Sequence, residues 1–359
     1  MKRITIAGLV LASLNTAAHA QSSVTMFGSL DAGLTYVTNV GGKSSIAMAD
    51  GINKNNSVGF SGTEDLGGGK RAFFKLENGY SLDTGMAGQG GLLFGKQAYV
   101  GLGDQTIGDL TLGRHYDFAI TMLRFLPCWS CGIYSVANGD IDRVSGQRLN
   151  NTVQFMTRSF GGLSAGMQYS FAANTGATTT NAGRALSATV QYASGGFSAG
   201  AYYTNINGAP VYAGGTGAPD MFGRPVAPYA GLIVDNLRTF GAGAAYALNA
   251  WRVSALYTNT RLKLGQNTSQ NQVLHVGGDY RPAPDLILAT KITYDKLDAS
   301  RWLTFSGGVD YLLSKSTDIY LDLDEQRAFG TGTVASIMIA GVSSSNNQFL
   351  TRVGIKHLF

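Results

Sequence analysis

Apolar and polar residues alternate singly along most of this chain, and that period of two limits what it can become. In Arg71-Ala72-Phe73-Phe74-Lys75-Leu76-Glu77, the charged Arg71, Lys75 and Glu77 fall on one side and Ala72, Phe74 and Leu76 on the other. Thr317, Ile319, Leu321 and Leu323 oppose Asp318, Tyr320, Asp322 and Asp324 in the same way. Successive side chains of a strand point to opposite faces. These segments are therefore strands with one apolar and one wet face. The pattern runs to the very end, where Phe349, Val353, Ile355 and Phe359 share a side and Arg352, Gly354 and Lys356 share the other.

The alternation predicts sixteen strands: 24–38, 53–63, 69–83, 92–104, 109–116, 148–158, 162–173, 184–194, 196–206, 235–247, 250–262, 271–281, 284–296, 301–313, 316–328 and 346–359. Short connections, such as 64–68, 105–108 and 159–161, alternate with longer ones at 39–52, 84–91, 117–147, 174–183, 207–234 and 329–345. Short turns on one rim and long loops on the other, joining strands of about 10 residues, is the pattern of a transmembrane barrel. Closure explains the ending. In hydrocarbon every backbone N–H and C=O must be paired, so the last strand has to meet the first. Phe359 then sits at one interface as the barrel-closing residue.

Composition supports that reading. Charged residues are 14% of the chain, against roughly 25% in soluble domains, and Gly contributes 49 of 359 residues. No stretch is long and apolar enough for a spanning helix, which needs about 20 residues. Met1-Lys2-Arg3, the apolar run Ile4 to Leu14 and Ala18-His19-Ala20 form a secretory signal peptide over 1–20. The remaining 21–359 make one barrel. Without Lys2 and Arg3 the balance is 25 basic against 22 acidic side chains, which is not a nucleic-acid charge pattern. Cys128 and Cys131 lie three apart; an oxidising compartment favours a loop disulfide, and no βαβ context supports a redox motif. No Cys/His spacing suits zinc. Three histidines outside the leader, and no G-x-S-x-G elbow, argue against an enzyme.

Several stretches resemble the trimeric general porins of Gram-negative outer membranes. They are Ser23–Asp31, Val58–Gly67 (VGFSGTEDLG), Ala98–Leu102, Leu112-Gly113-Arg114, Leu149–Phe155, Tyr311–Thr317 and the ending Val353–Phe359. The resemblance implies a sixteen-stranded antiparallel barrel, a homotrimer, and passive diffusion of small hydrophilic solutes. It also implies contact with outer-membrane lipid and lipopolysaccharide, assembly by the barrel machinery with Phe359 as its signal, and no cofactor. The third long loop, about 117–147, would fold inward and narrow the channel.

Selectivity then depends on charges at the narrowest zone. Arg71 and Lys75 face inward by alternation. The resemblance places Lys96, Arg114 and Arg148 on the wall beside the loop. Family members usually carry a basic residue at Ser57 and a lysine at Ser61, and this sequence departs at both. The loop offers Asp117, Asp140 and Asp142 against Arg124 and Arg143. The balance leans to anions. The inward row Asp310, Asp318, Asp322 and Asp324 runs against it, unless Arg352 and Lys356 pair with those acids. Two other functions fit the same fold: a specific channel for small organic anions, and a non-conducting surface-binding barrel that uses the long stretch 207–234 for recognition.

Overall fold

The structure, a computed structural model, describes residues 23–128, 130–172, 181–227 and 231–359. The predicted leader, 1–20, lies outside the described residues. The strands are β1 (Ser23–Val40), β2 (Lys43–Asp50), β3 (Ser57–Gly67), β4 (Lys70–Gly79), β5 (Gln97–Asp104), β6 (Gly108–Tyr116), β7 (Arg148–Thr157), β8 (Leu163–Ser170), β9 (Ala185–Ser194), β10 (Phe197–Val211), the short pair β11 (Asp220–Met221) and β12 (Arg224–Pro225), then β13 (Leu232–Leu248), β14 (Trp251–Leu264), β15 (Asn267–Ala283), β16 (Leu286–Leu297), β17 (Ser300–Leu312), β18 (Thr317–Phe329) and β19 (Asn347–Leu358).

All but β11 and β12 form one antiparallel sheet that closes on itself. β2 and β3 pair with the upper and lower halves of β1, and count as one interrupted strand. That gives a barrel of sixteen strands. Closure runs from Ser29↔Leu358 to Val37↔Leu350. Gly28 and Phe359 exchange both backbone hydrogen bonds beyond it, at 2.8 and 3.1 Å. The alternating C-terminal strand therefore has its partner, and the chain ends where the sheet does.

Burial follows the pleat. In β18, Asp318, Tyr320, Asp322 and Asp324 are buried inward while Ile319, Leu321 and Leu323 are exposed outward. Phe197, Tyr246 and Trp251 face outward near the short turns, and Trp251 stacks on Tyr280 with ring centroids 4.1 Å apart. Amphipathic rings at one rim form an interfacial girdle.

Two connections differ from the sequence reading. Segment 39–52 is not a long loop. Gly41 and Gly42, at φ +58° and +97°, make a tight turn, and 43–50 continues as β2. Two successive left-handed residues suit a two-residue hairpin, and only glycine adopts them freely. The segment after β18 is not a plain surface loop. Ala335, Ser336 and Ile337 are buried, and Trp302 Nε1 donates to Val334 O at 2.9 Å. Val334 N and Ser336 Oγ bond to the carbonyls of Gly217 and Gly215 at 3.0 and 2.8 Å.

Candidate functional site

The third long connection, 117–147, is tied at its base. Asp117 N donates to Gln147 O at 3.1 Å, and the buried Arg143 and Asp117 side chains pair at 2.5 Å. From there a 3-10 stretch, Phe118–Phe125, packs Phe118, Met122 and Phe125 against Tyr202 and Leu256 of the barrel interior. Glycines make room for it. A Cβ on Gly166 would lie 2.5 Å from Phe118 Cζ, and one on Gly243 2.6 Å from Phe125 Cβ. A Cβ on Gly308 would lie 2.5 Å from Ser130 Oγ. Real side chains do not approach so closely, so these inward positions seat the segment on β8, β13 and β17.

The tip and the return leg bond to the far wall. Cys128 and Cys131 are joined in a disulfide. Lys291 Nζ donates to Ser135 O at 2.5 Å, and Tyr134 Oη lies 3.2 Å from Thr35 Oγ1. Asn138 N donates to Asp295 Oδ2 at 3.0 Å. Asp142 Oδ2 accepts from Thr258 Oγ1 and Asp142 O from Tyr202 Oη, both at 2.9 Å. Burial, followed by the charge of Asp140, pushes the Asp142 carboxyl up to about 7. The segment thus touches β1, β8, β10, β13, β14, β16 and β17 from inside.

It leaves one side open. A cavity of about 390 Å³ lies between the segment and the wall from β2 to β7, with Lys96, Arg148, Asp140, Gln147, Ile133 and Met338 among its lining. Lys96 and Lys75 share one carboxylate, Glu77, at 3.1 and 3.0 Å. Arg148 stacks on Tyr116, with Cζ 4.7 Å from the ring centroid, and donates to its hydroxyl at 3.0 Å. Arg114 Nε donates to Gly95 O at 2.8 Å, and its guanidinium also meets Asn150. Among the described residues, neither arginine has a carboxylate in ion-pair contact.

The other predicted residues lie elsewhere. Arg71 pairs with Asp109 at 2.8 Å, beside Arg158, near the short turns. Arg124 donates to Gln191 at 2.8 Å on β9. Arg143 is consumed by Asp117, and Asp142 by its docking bonds. Asp140 does line the cavity, but Ser145 and Gln147 occupy its carboxylate at 2.6 and 2.7 Å. On the far wall Lys356 pairs with Asp310 and Asp318 at 2.9 and 3.2 Å. Arg352 pairs with Asp31 at 3.2 Å, not with Asp322 or Asp324. The sequence put Glu77 on the wet face with Lys75 but assigned it no role at the site, and Asp31 and Lys291 carried none either. Their inward parity was the available signal, and it does not rank one lumen charge above another.

A model of Gram-negative porins matches residues 7–330. The chain belongs to the Gram-negative porin family. Two outer membrane porins, one from Bordetella pertussis and one from Delftia acidovorans, are each 28% identical to it. The first match spans 285 residues, 72% of this chain and 70% of the relative; the second covers all of both. The solved anion-selective porin from Comamonas acidovorans superposes with a TM-score of 0.77 at 24% identity, over 94% of this chain and 100% of that one. The protein is an outer-membrane porin, and its barrel is the wall of a channel.

Proposed function

We propose that this porin passes small hydrophilic solutes by passive diffusion, favours anions, and works as a homotrimer, with Phe359 as the signal for assembly of each barrel. The observation that carries the anion preference is the open side of the lumen. Lys96 and Arg148 line it with Lys75 and Arg114 nearby; Glu77 pairs with both lysines, and the two acids in the lining, Asp50 and Asp140, accept hydrogen bonds from Asn56 and from Ser145 and Gln147, respectively. Low-dielectric walls focus the field of such a cluster and raise the local concentration of counter-ions. The segment 117–147 serves as the constriction, with Asp140 and Gln147 on its edge. The likeness to the anion-selective porin from Comamonas acidovorans agrees with this reading, and the resemblance to the trimeric general porins supports the homotrimer. Channel chemistry of this kind asks for no nucleophile, metal or cofactor.

The experiment is single-channel recording of the refolded protein in a planar bilayer under a KCl gradient. A reversal potential toward the chloride side is expected. A reversal toward the potassium side overturns the anion preference, and a folded barrel without conductance favours the surface-binding alternative.

A further inference from the structure

The open aperture is two-faced. Lys96 and Arg148 form one side, beside Asp50 and Asp140, whose carboxylates accept from Asn56 and from Ser145 and Gln147, respectively; Ile133, Met338 and Ile339 contribute an apolar edge from the two inward segments. Ile339 is the unusual member. It sits in a turn closed by Ala340 N donating to Ile337 O at 3.0 Å, and its φ is +55°. Glycine or asparagine is favoured where a turn needs a left-handed residue. For a β-branched residue that conformation is a strained outlier. Ile339 is nonetheless 54% exposed, so burial does not repay the strain.

The turn is anchored from both ends. Ile337 N donates to Gln348 Oε1 at 2.8 Å, and Gln348 Nε2 donates to Gly341 O at 2.9 Å. The fold therefore holds an exposed, strained isoleucine over the water path. Strain of this kind gathers at ligand clamps. A water-filled passage has no need of an apolar edge, since bare apolar surface beside water is unfavourable.

We infer that the aperture binds and preferentially admits monocarboxylates with a compact apolar body, aryl or branched alkyl. The carboxylate meets Lys96 and Arg148 while the body covers Met338 and Ile339. A dicarboxylate gains the first contact but places its second charge against the apolar edge, where nothing pairs with it. Chloride gains only the first. The volume, about 390 Å³, falls in the range of small-ligand sites. This inference rests on the anion preference proposed above and adds the class of anion.

The test is block of the chloride current by benzoate and, separately, by succinate. The proteins are the wild type and a Met338→Ser/Ile339→Gly double variant. Ile339→Gly also removes the backbone strain, so folding is not at risk. In the wild type, benzoate should halve the current at a concentration at least about threefold below that of succinate. In the variant the two concentrations should converge, with the KCl reversal potential still on the chloride side. Equal block by both anions in the wild type, or an unchanged difference in the variant, overturns the inference and leaves the anion preference intact. A wild-type reversal on the potassium side overturns both.

Discussion

The lumen has two charged walls, and they differ less in charge density than in what covers them. From β4 to β7, Lys96 and Arg148 line an open cavity that Asp50 and Asp140 also line, Lys75 and Arg114 lie nearby, and Glu77 is the one acid in ion-pair contact with these cations. On β16 to β18, Asp295, Asp310, Asp322 and Asp324 are each no more than 2% exposed. Ser130 rests on Gly308, which is directly across from Asp322, and Asn138 bonds to Asp295. Cations also stand among these acids: Lys356 bridges Asp310 and Asp318, and Lys291 acts on Asp324. On the reading proposed above, permeating ions meet the half-buried Arg148 and the edge of the buried, Glu77-paired Lys96 at the cavity, and the acidic wall through protein. Selectivity follows where the 117–147 segment lies, and the charge total of the chain says little about it.

Reversing the basic wall should break the comparison most severely. Lys96→Glu with Arg148→Glu changes the aperture by four charges. The anion-to-cation permeability ratio should fall about tenfold, which corresponds to about 1.4 kcal/mol. Reversal potentials in a KCl gradient read it. An unchanged ratio would remove both residues from the ion path.

How much of this was legible in the sequence depends on the distance over which each signal acts. Pleat alternation is local, so the strands, the inward row Asp318 to Asp324 and the closing strand at Phe359 were readable. The resemblance named Lys96, Arg114 and Arg148, of which Lys96 and Arg148 line the open cavity. The β1–β2 hairpin was missed because Ala47 and Ala49 blur the alternation that Ile46 and Met48 carry, so its clearest signal was the pair Gly41-Gly42. The roles of Arg124 and Arg143 were not readable either. Nothing near Arg143 in sequence announces Asp117 as its partner across the base of the loop. The inward fold of 330–346 depends on Trp302, Gly215, Gly217 and Gln348, all supplied by other elements. Its one local hint was the apolar run Val334-Ala335-Ser336-Ile337-Met338-Ile339-Ala340, odd for a surface loop.

Uncovering the acidic wall should narrow the difference from the other side. Gly308→Val places methyls where Ser130 now sits, since even a Cβ would come within 2.5 Å of its Oγ. The barrel strand favours valine, so the loop tip is what must yield. Conductance should rise, and the permeability ratio should fall about threefold. Adding Asp324→Asn to this variant should recover part of the ratio. A variant with native circular dichroism and unaltered conductance would show that the tip does not hold the aperture.

Acidity should tune the same docking more gently. The Asp142 carboxyl is raised from 3.8 to about 7 in the docked loop. An undocked loop releases that proton near pH 4, so between the two values the docked state holds the extra proton. Docking is strongest below about pH 4 and weakens as pH rises through about 7. Current noise from loop motion should therefore grow between pH 5 and pH 8, by about twofold. Asp142→Asn should flatten the dependence, because its amide oxygen still accepts from Thr258 without titrating. A pH dependence that survives this change would assign it to another group.

The smallest predicted effect is the sharpest discriminator. Asp324→Asn removes one negative charge from the lumen wall of the intact protein. If acidic and basic walls acted alike, it should raise the anion-to-cation ratio as a basic-wall charge would lower it. Asp324 is instead fully buried, accepts from Ser306 Oγ at 2.6 Å and feels the charge of Lys291, which is itself bound to the loop at Ser135. Asparagine keeps the acceptor for Ser306 and loses only a charge that the loop already separates from the water path. The ratio in a KCl gradient should therefore move by less than about 1.5-fold. A shift as large as that from a single Lys96→Gln exchange would mean the acidic wall is in the ion path. Loop position would then not be what makes the two walls unequal.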